Sequence, residues 1–174
     1  MNFNFTRYKY EVHNSQGDLL VSGVSQNLVC AAAIADMLDK YFSGAGYTSP
    51  GWFMGVEKYD ISYAFDLTDL ASKITTGAPG GGTNQWSEYT GYSESARPTI
   101  TFSVPGSRKI QGGATVFTFT GTLSIGGVFI VSASAKGATT GVLFSEFSLT
   151  DGPDPFITFN AGDTLTVTPD IRVN

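Results

Sequence analysis

The chain has 174 residues, enough for one domain whose core needs neither a disulfide nor a metal to hold it. Only 14% of its residues are charged, against about 25% in average chains, while aromatics reach 13% and glycines number 21. The formal net charge is −5 and no run of three Lys or Arg occurs. This argues against a nucleic-acid or anionic-membrane surface, since both require clustered cations.

Residues 1–7 carry neither the charged start nor the apolar stretch of a secretory signal, so the chain is expected to be made and kept on the cytosolic side unless it leaves within a larger particle. No run of 18 apolar residues predicts a membrane span. Over 5–13, Arg7, Lys9, Glu11 and His13 alternate with Tyr8, Tyr10 and Val12, the period-two pattern of a half-buried strand. Asn14-Ser15-Gln16-Gly17-Asp18 is turn chemistry, and 19–24 returns as a second strand, closing a hairpin. The period then changes. Ala31, Ile34, Ala35, Leu38, Tyr41 and Phe42 share one face of a helix expected over about 28–43, with Ser25 or Asn27 as its cap and Gly44 at its end. Cys30, a lone cysteine, reads as a small buried hydrophobe.

Trp52-Phe53-Met54-Gly55-Val56 reads as a fully buried strand, 67–74 as a short second helix, and 76–84 as a loop. From residue 99 the pattern is strand and turn, with candidate strands at 99–104, 115–123, 127–135, 141–149, 156–159 and 164–168. The expected architecture is mainly β: a β-sandwich, with a jelly roll as one form of it, carrying an N-terminal β-hairpin and one amphipathic α-helix. One domain is expected over 1–174, the hairpin and helix filling 1–45 and the sandwich 46–174.

Chemistry is sparse. His13 is the single histidine and sits at a strand end beside a turn, with no nucleophile-elbow sequence anywhere in the chain. One His and one Cys cannot supply a four-ligand zinc site. Asp151, Asp154, Asp163 and Asp170 offer oxygen ligands of the kind calcium takes, yet Asp-Gly and Pro-Asp are also ordinary turn formers. Glu88 and Glu94 bracket the aromatic segment 86–92, the raw material of a glycosidase pair or a sugar-binding groove, and equally of a core strand. Gly80-Gly81-Gly82-Thr83 lacks the Gly-Lys-Ser/Thr that a phosphate loop needs. No catalytic residue, cofactor or metal is therefore expected.

Four segments carry a likeness to known proteins. They are Ser25-Gln26-Asn27-Leu28-Val29 with Leu38-Asp39-Lys40-Tyr41-Phe42; Gly46-Tyr47-Thr48 leading into 52–56; Trp86-Ser87-Glu88 with 92–98; and 127–130 through 134–143, with Ala161-Gly162-Asp163-Thr164-Leu165-Thr166-Val167 near the end. Together they resemble a family of small tailed-phage virion accessory proteins, described as capsid decoration or cement, head-fibre or tail-associated proteins. The resemblance implies a β-rich, non-enzymatic, homo-oligomeric subunit of a virion, in contact with the major capsid protein or with neck and tail components. A capsid decoration role leads. A neck, tail or fibre-attachment subunit is the alternative, and a host-directed carbohydrate-binding module is a further one. Large interfaces are anchored by aromatics and Arg, which makes Phe3, Phe5, Tyr8, Tyr10 and Arg97 candidate interface residues, although Tyr8 and Tyr10 also suit the chain's own core.

Overall fold

The computed structural model describes residues 6–42, 51–59, 70–75, 86–103, 109–149 and 154–172. Among them are eleven strands and one α-helix. The strands are β1 (Thr6–His13), β2 (Leu19–Val29), β3 (Phe53–Lys58), β4 (Ile74–Thr75), β5 (Trp86–Tyr89), β6 (Lys109–Gln111), β7 (Thr115–Thr118), β8 (Leu123–Val131), β9 (Leu143–Ser148), β10 (Ile157–Phe159) and β11 (Thr164–Arg172). The helix α1 spans Ala31–Phe42.

The predicted hairpin forms. Asn14 builds its turn: the Asn14 Oδ1 accepts the backbone N–H groups of Gln16 and Asp18, and Gly17 takes the left-handed conformation at φ 89°. Tyr8, Tyr10 and Val12 are buried while Arg7, Lys9 and Glu11 are exposed, as the alternation demands. β2 is longer than the pattern suggested, and its length joins the two layers. Its first part pairs with β1 and its last residues, Asn27 to Val29, pair with β9. Such a strand turns a corner between sheets.

The first sheet runs β2–β1–β11, with β7 and β6 one after the other along the far edge of β11. The second runs β5–β3–β8–β9–β2, with β10 against β8 and β4 parallel to β5. The layers pack as a β-sandwich. Tyr8, Tyr10, Phe117, Phe119, Leu165 and Val167 of the first meet Met54, Val56, Val128, Ile130 and Phe147 of the second. Tyr8 stacks on Phe147 at 4.0 Å between ring centres, and its hydroxyl meets Ser145 Oγ at 2.7 Å.

The second sheet is also covered on its outer face. Cys30, Ala71, Ile74, Phe129, Val131 and Leu143 form a separate cluster there. Burial on both faces explains why β8 ends in a continuous apolar run over 128–131 instead of alternating, and why β9 is buried at every position from Leu143 to Phe147.

Four expectations change. The helix begins after Cys30, whose carbonyl accepts the N–H groups of Ala33 and Ile34. Ser25 and Asn27 lie in β2 instead of capping it, because β2 continues on to reach β9. The helix also turns a different face inward: Ala33 is buried and Ile34 and Met37 pack on the core, whereas Ala31, Ala35, Leu38 and Phe42 are exposed. In place of a strand at 99–104 there are bridges from Thr99 to Phe53 and from Phe102 to Gly112, with residue 104 outside the described residues. Within 67–74, the described part is a 3-10 turn at Ala71–Lys73 running into β4. The loop at 76–84 lies outside the described residues, as does Gly44.

Candidate functional site

The densest set of charged side chains lies on the outer face of the second sheet. Glu88 leaves β5 on that face, and Arg97 reaches it from the connection that follows. That connection is held in place at both ends of its approach: Arg97 N–H donates to the Ser134 carbonyl and Met54 N–H to the Pro98 carbonyl. The guanidinium grips the carboxylate with two bonds, Nε to Oε1 at 2.9 Å and Nη2 to Oε2 at 2.7 Å. Its remaining reach goes to main chain, Nη1 to the Ala133 carbonyl at 2.9 Å and Nη2 to the Ala138 carbonyl at 3.0 Å. Glu88 Oε2 accepts a further bond from Gly137 N–H. Both side chains are fully buried.

The guanidinium lies over the Phe129 ring, 5.1 Å from its centre. Phe129 in turn lies across Gly55, at a distance no Cβ would allow. Lys136, on the same turn as Gly137, donates to the carbonyls of Thr90 (3.1 Å) and Tyr92 (2.8 Å) and sits over the Tyr92 ring at 3.7 Å. Burial pulls its ammonium below the ordinary lysine value, against the carboxylates of Glu94 and Glu88. Burial, then Glu88, pushes the Tyr92 phenol well above its ordinary value, with Arg97 opposing. The phenol oxygen has no hydrogen-bond partner among the described residues.

This arrangement is closed. Both Glu88 oxygens and four of the five guanidinium N–H groups already have partners within the chain. Chemically it ties β5 to the turn 133–138. It holds neither a nucleophile beside a base nor open metal ligands. Among the described residues no group of three or more His, Cys, Asp or Glu is placed to hold a metal, and no helix is long and apolar enough to cross a membrane.

The residues singled out from the sequence separate. Arg97 does not serve as a surface anchor, because its charge is neutralised inside by Glu88. Tyr8 and Tyr10 likewise belong to the core between the sheets and not to an interface, because the alternation of β1 points them inward. Phe3 and Phe5 lie outside the described residues, as do Asp151 and Gly80 to Thr83. Asp154 is exposed, while Asp163 is buried and accepts the Asn160 N–H at 2.8 Å as part of a turn. Asp170 is buried on β11, opposite Arg7. His13 is half-buried at the end of β1, and Cys30 is buried. Glu88 and Glu94 are engaged by different partners. The first is bound to Arg97, and the second takes the Thr118 N–H at 3.4 Å beside Ser93. Within the aromatic segment, Tyr92 is buried and packs edge-on against Phe117. Sequence reasoning missed Lys136 and the buried Glu57 and Glu146. The available signal was a carboxylate inside an apolar strand of a chain poor in charge.

A second surface is open. On the outer face of the first sheet Arg7, Lys9 and Glu11 of β1 stand beside Ser22, Val24 and Gln26 of β2, all exposed, with Thr164, Thr166 and Thr168 of β11 beyond. It is polar and studded with apolar side chains, Val24 and Val116 among them.

No protein-family model, curated protein or solved structure matches the chain.

Proposed function

We propose that this chain is a structural subunit of a tailed-phage particle, a capsid decoration or cement protein that stabilises the head through protein–protein contacts as a homo-oligomer. The observation that carries the reading is the closure of the Glu88–Arg97 cluster: its polar groups bond to the chain itself and hold a turn in place. What the first sheet presents outward is an exposed face spanning several strands, the kind of surface that works by area. The likeness of the four segments named above to tailed-phage accessory proteins supports the virion setting. The Trp86-to-Tyr92 segment that motivates a glycan-binding module has three of its polar members, Ser87, Glu88 and Tyr92, buried within the fold.

Copy number in purified virions, read by quantitative gel densitometry, tests this. A decoration protein is present in on the order of hundreds of copies per particle. About 3, 6 or 12 copies, as closed rings require, move it to the neck, tail or fibre-attachment role. Absence from purified particles overturns the virion reading altogether.

A further inference from the structure

We propose that the outer face of the first sheet is a self-association surface whose occupant is a second copy of this chain, related by a two-fold axis that crosses the strands over Tyr10 and sets Lys9 of each copy against Glu11 of the other. The inference deepens the homo-oligomeric part of the reading above and does not rest on the particle.

The face is exposed and carries large apolar side chains. Val24 is 59% exposed and Leu19 56% on β2, and Val116 is 44% exposed on β7. Its charges are arranged so that it complements itself. Lys9 and Glu11 lie two residues apart on one strand, about 6.8 Å. Their cross-strand neighbours, Val24 and Thr168 for Lys9 and Ser22 and Thr166 for Glu11, are all uncharged. Neither residue is in an ion pair among the described residues.

The charges also select the axis. An axis running along β1 keeps every residue at its own level and puts Lys9 on Lys9 and Glu11 on Glu11. An axis across the strands over Tyr10 exchanges the two levels, so both contacts become opposite-charge pairs. Aligned sheets cross at about 30°. Contacts this close to the axis are displaced least by that angle. Farther out, about 10 Å from the axis, Arg7 falls opposite His13, away from the two charged contacts.

Four strands at about 4.8 Å by eight residues at about 3.4 Å give about 500 Å² per copy. The total of about 1,000 Å² is at the lower edge of specific interfaces. Association is therefore weak in solution and becomes effective where copies are concentrated.

Sedimentation equilibrium of the purified full-length chain, from about 1 μM to about 1 mM at fixed ionic strength, tests the face. The wild type is expected to dimerise reversibly in the micromolar range. Lys9→Glu and Glu11→Lys are each expected to weaken the dimer at least about tenfold, because like charges then meet twice. The double variant Lys9→Glu/Glu11→Lys is expected to return to within about threefold of wild type, since the axis pairs position 9 with position 11. Both side chains are exposed, so unchanged thermal unfolding confirms that the variants fold. A wild type that stays monomeric throughout, a dimer indifferent to the single reversals, or a double variant no tighter than the singles overturns the proposal. The solution experiment judges the face and virion copy number judges the particle, so either can fail alone.

Discussion

Removing the Arg97 guanidinium leaves the Glu88 carboxylate buried, with the Gly137 amide as its remaining bond among those described. Leaving one partner of a buried ion pair uncompensated costs about 3–5 kcal/mol. Arg97→Ala is expected to lower the unfolding free energy by about that amount in urea titration. Arg97→Lys is expected to recover little, because an ammonium cannot span two carboxylate oxygens and two carbonyls. Replacing both partners together, Glu88→Leu with Arg97→Met, is expected to be milder than Arg97→Ala alone. A double variant as damaged as the single one would mean that packing, and not the unpaired charge, dominates. Tyr92 gives the opposite case. Its buried hydroxyl lacks a partner among the described residues, so Tyr92→Phe is expected to leave the protein as stable or about 1 kcal/mol more stable at neutral pH. The native phenol keeps its proton above the pH, near 10, at which the unfolded chain loses it. In that window the unfolded state binds fewer protons than the native one, so stability falls as pH rises. Urea titrations at about pH 8 and about pH 10.5 should show wild type losing more stability between the two than Tyr92→Phe does. Equal losses would place the alkaline sensitivity elsewhere.

At the scale of elements, α1 shows where sequence pattern stops informing. Seven of the eight residues 31–38 are apolar, Asp36 being the exception, so this part of the helix is apolar nearly all round and periodicity cannot choose its inner face. The choice is made by the corner at Cys30, where β2 ends against β9 and the helix starts at once. That placement turns Ala33 and Met37 inward and leaves Leu38 outside. Ala33→Leu is expected to cost about 1–3 kcal/mol by overpacking. Leu38→Lys is expected to fall within about 0.5 kcal/mol of wild type in the same denaturation assay. The reverse order would restore the face inferred from periodicity. The strands were far more legible, because one wet face and one dry face leave an alternating record, as in Tyr8, Tyr10 and Val12. The Glu88–Arg97 pair was not legible. Its partners are nine residues apart, and they meet only because β5 pairs with β3 while the chain folds back past 52–54. No local rule of spacing encodes that meeting.

At the scale of the molecule, the ends of the described chain lie side by side: β1 pairs with β11 along its whole length, from Thr6 opposite Ile171 to His13 opposite Thr164. β11 also carries β7 and β6, so the first sheet cannot form until the last strand arrives. The second sheet is bound to it through β2, whose two parts pair with β1 and with β9. A division of the chain into a front of hairpin and helix and a sandwich behind therefore does not separate independent cores: Tyr8 of β1 stacks on Phe147 of β9. The expected consequence is one cooperative transition in which damage to either sheet is felt by both. Leu165, fully buried on β11, belongs to the first sheet and faces the core that the two sheets share. Trp52, just before β3, and Trp86, at the start of β5, place both tryptophans of the chain on the second. Leu165→Ala is expected to cost about 2–5 kcal/mol. Its urea midpoint is expected to fall equally by tryptophan fluorescence and by far-UV circular dichroism. A fluorescence midpoint that stays at the wild-type value while the dichroism midpoint falls would mean that the second sheet survives alone and that β2 is a linker between layers instead of their shared strand.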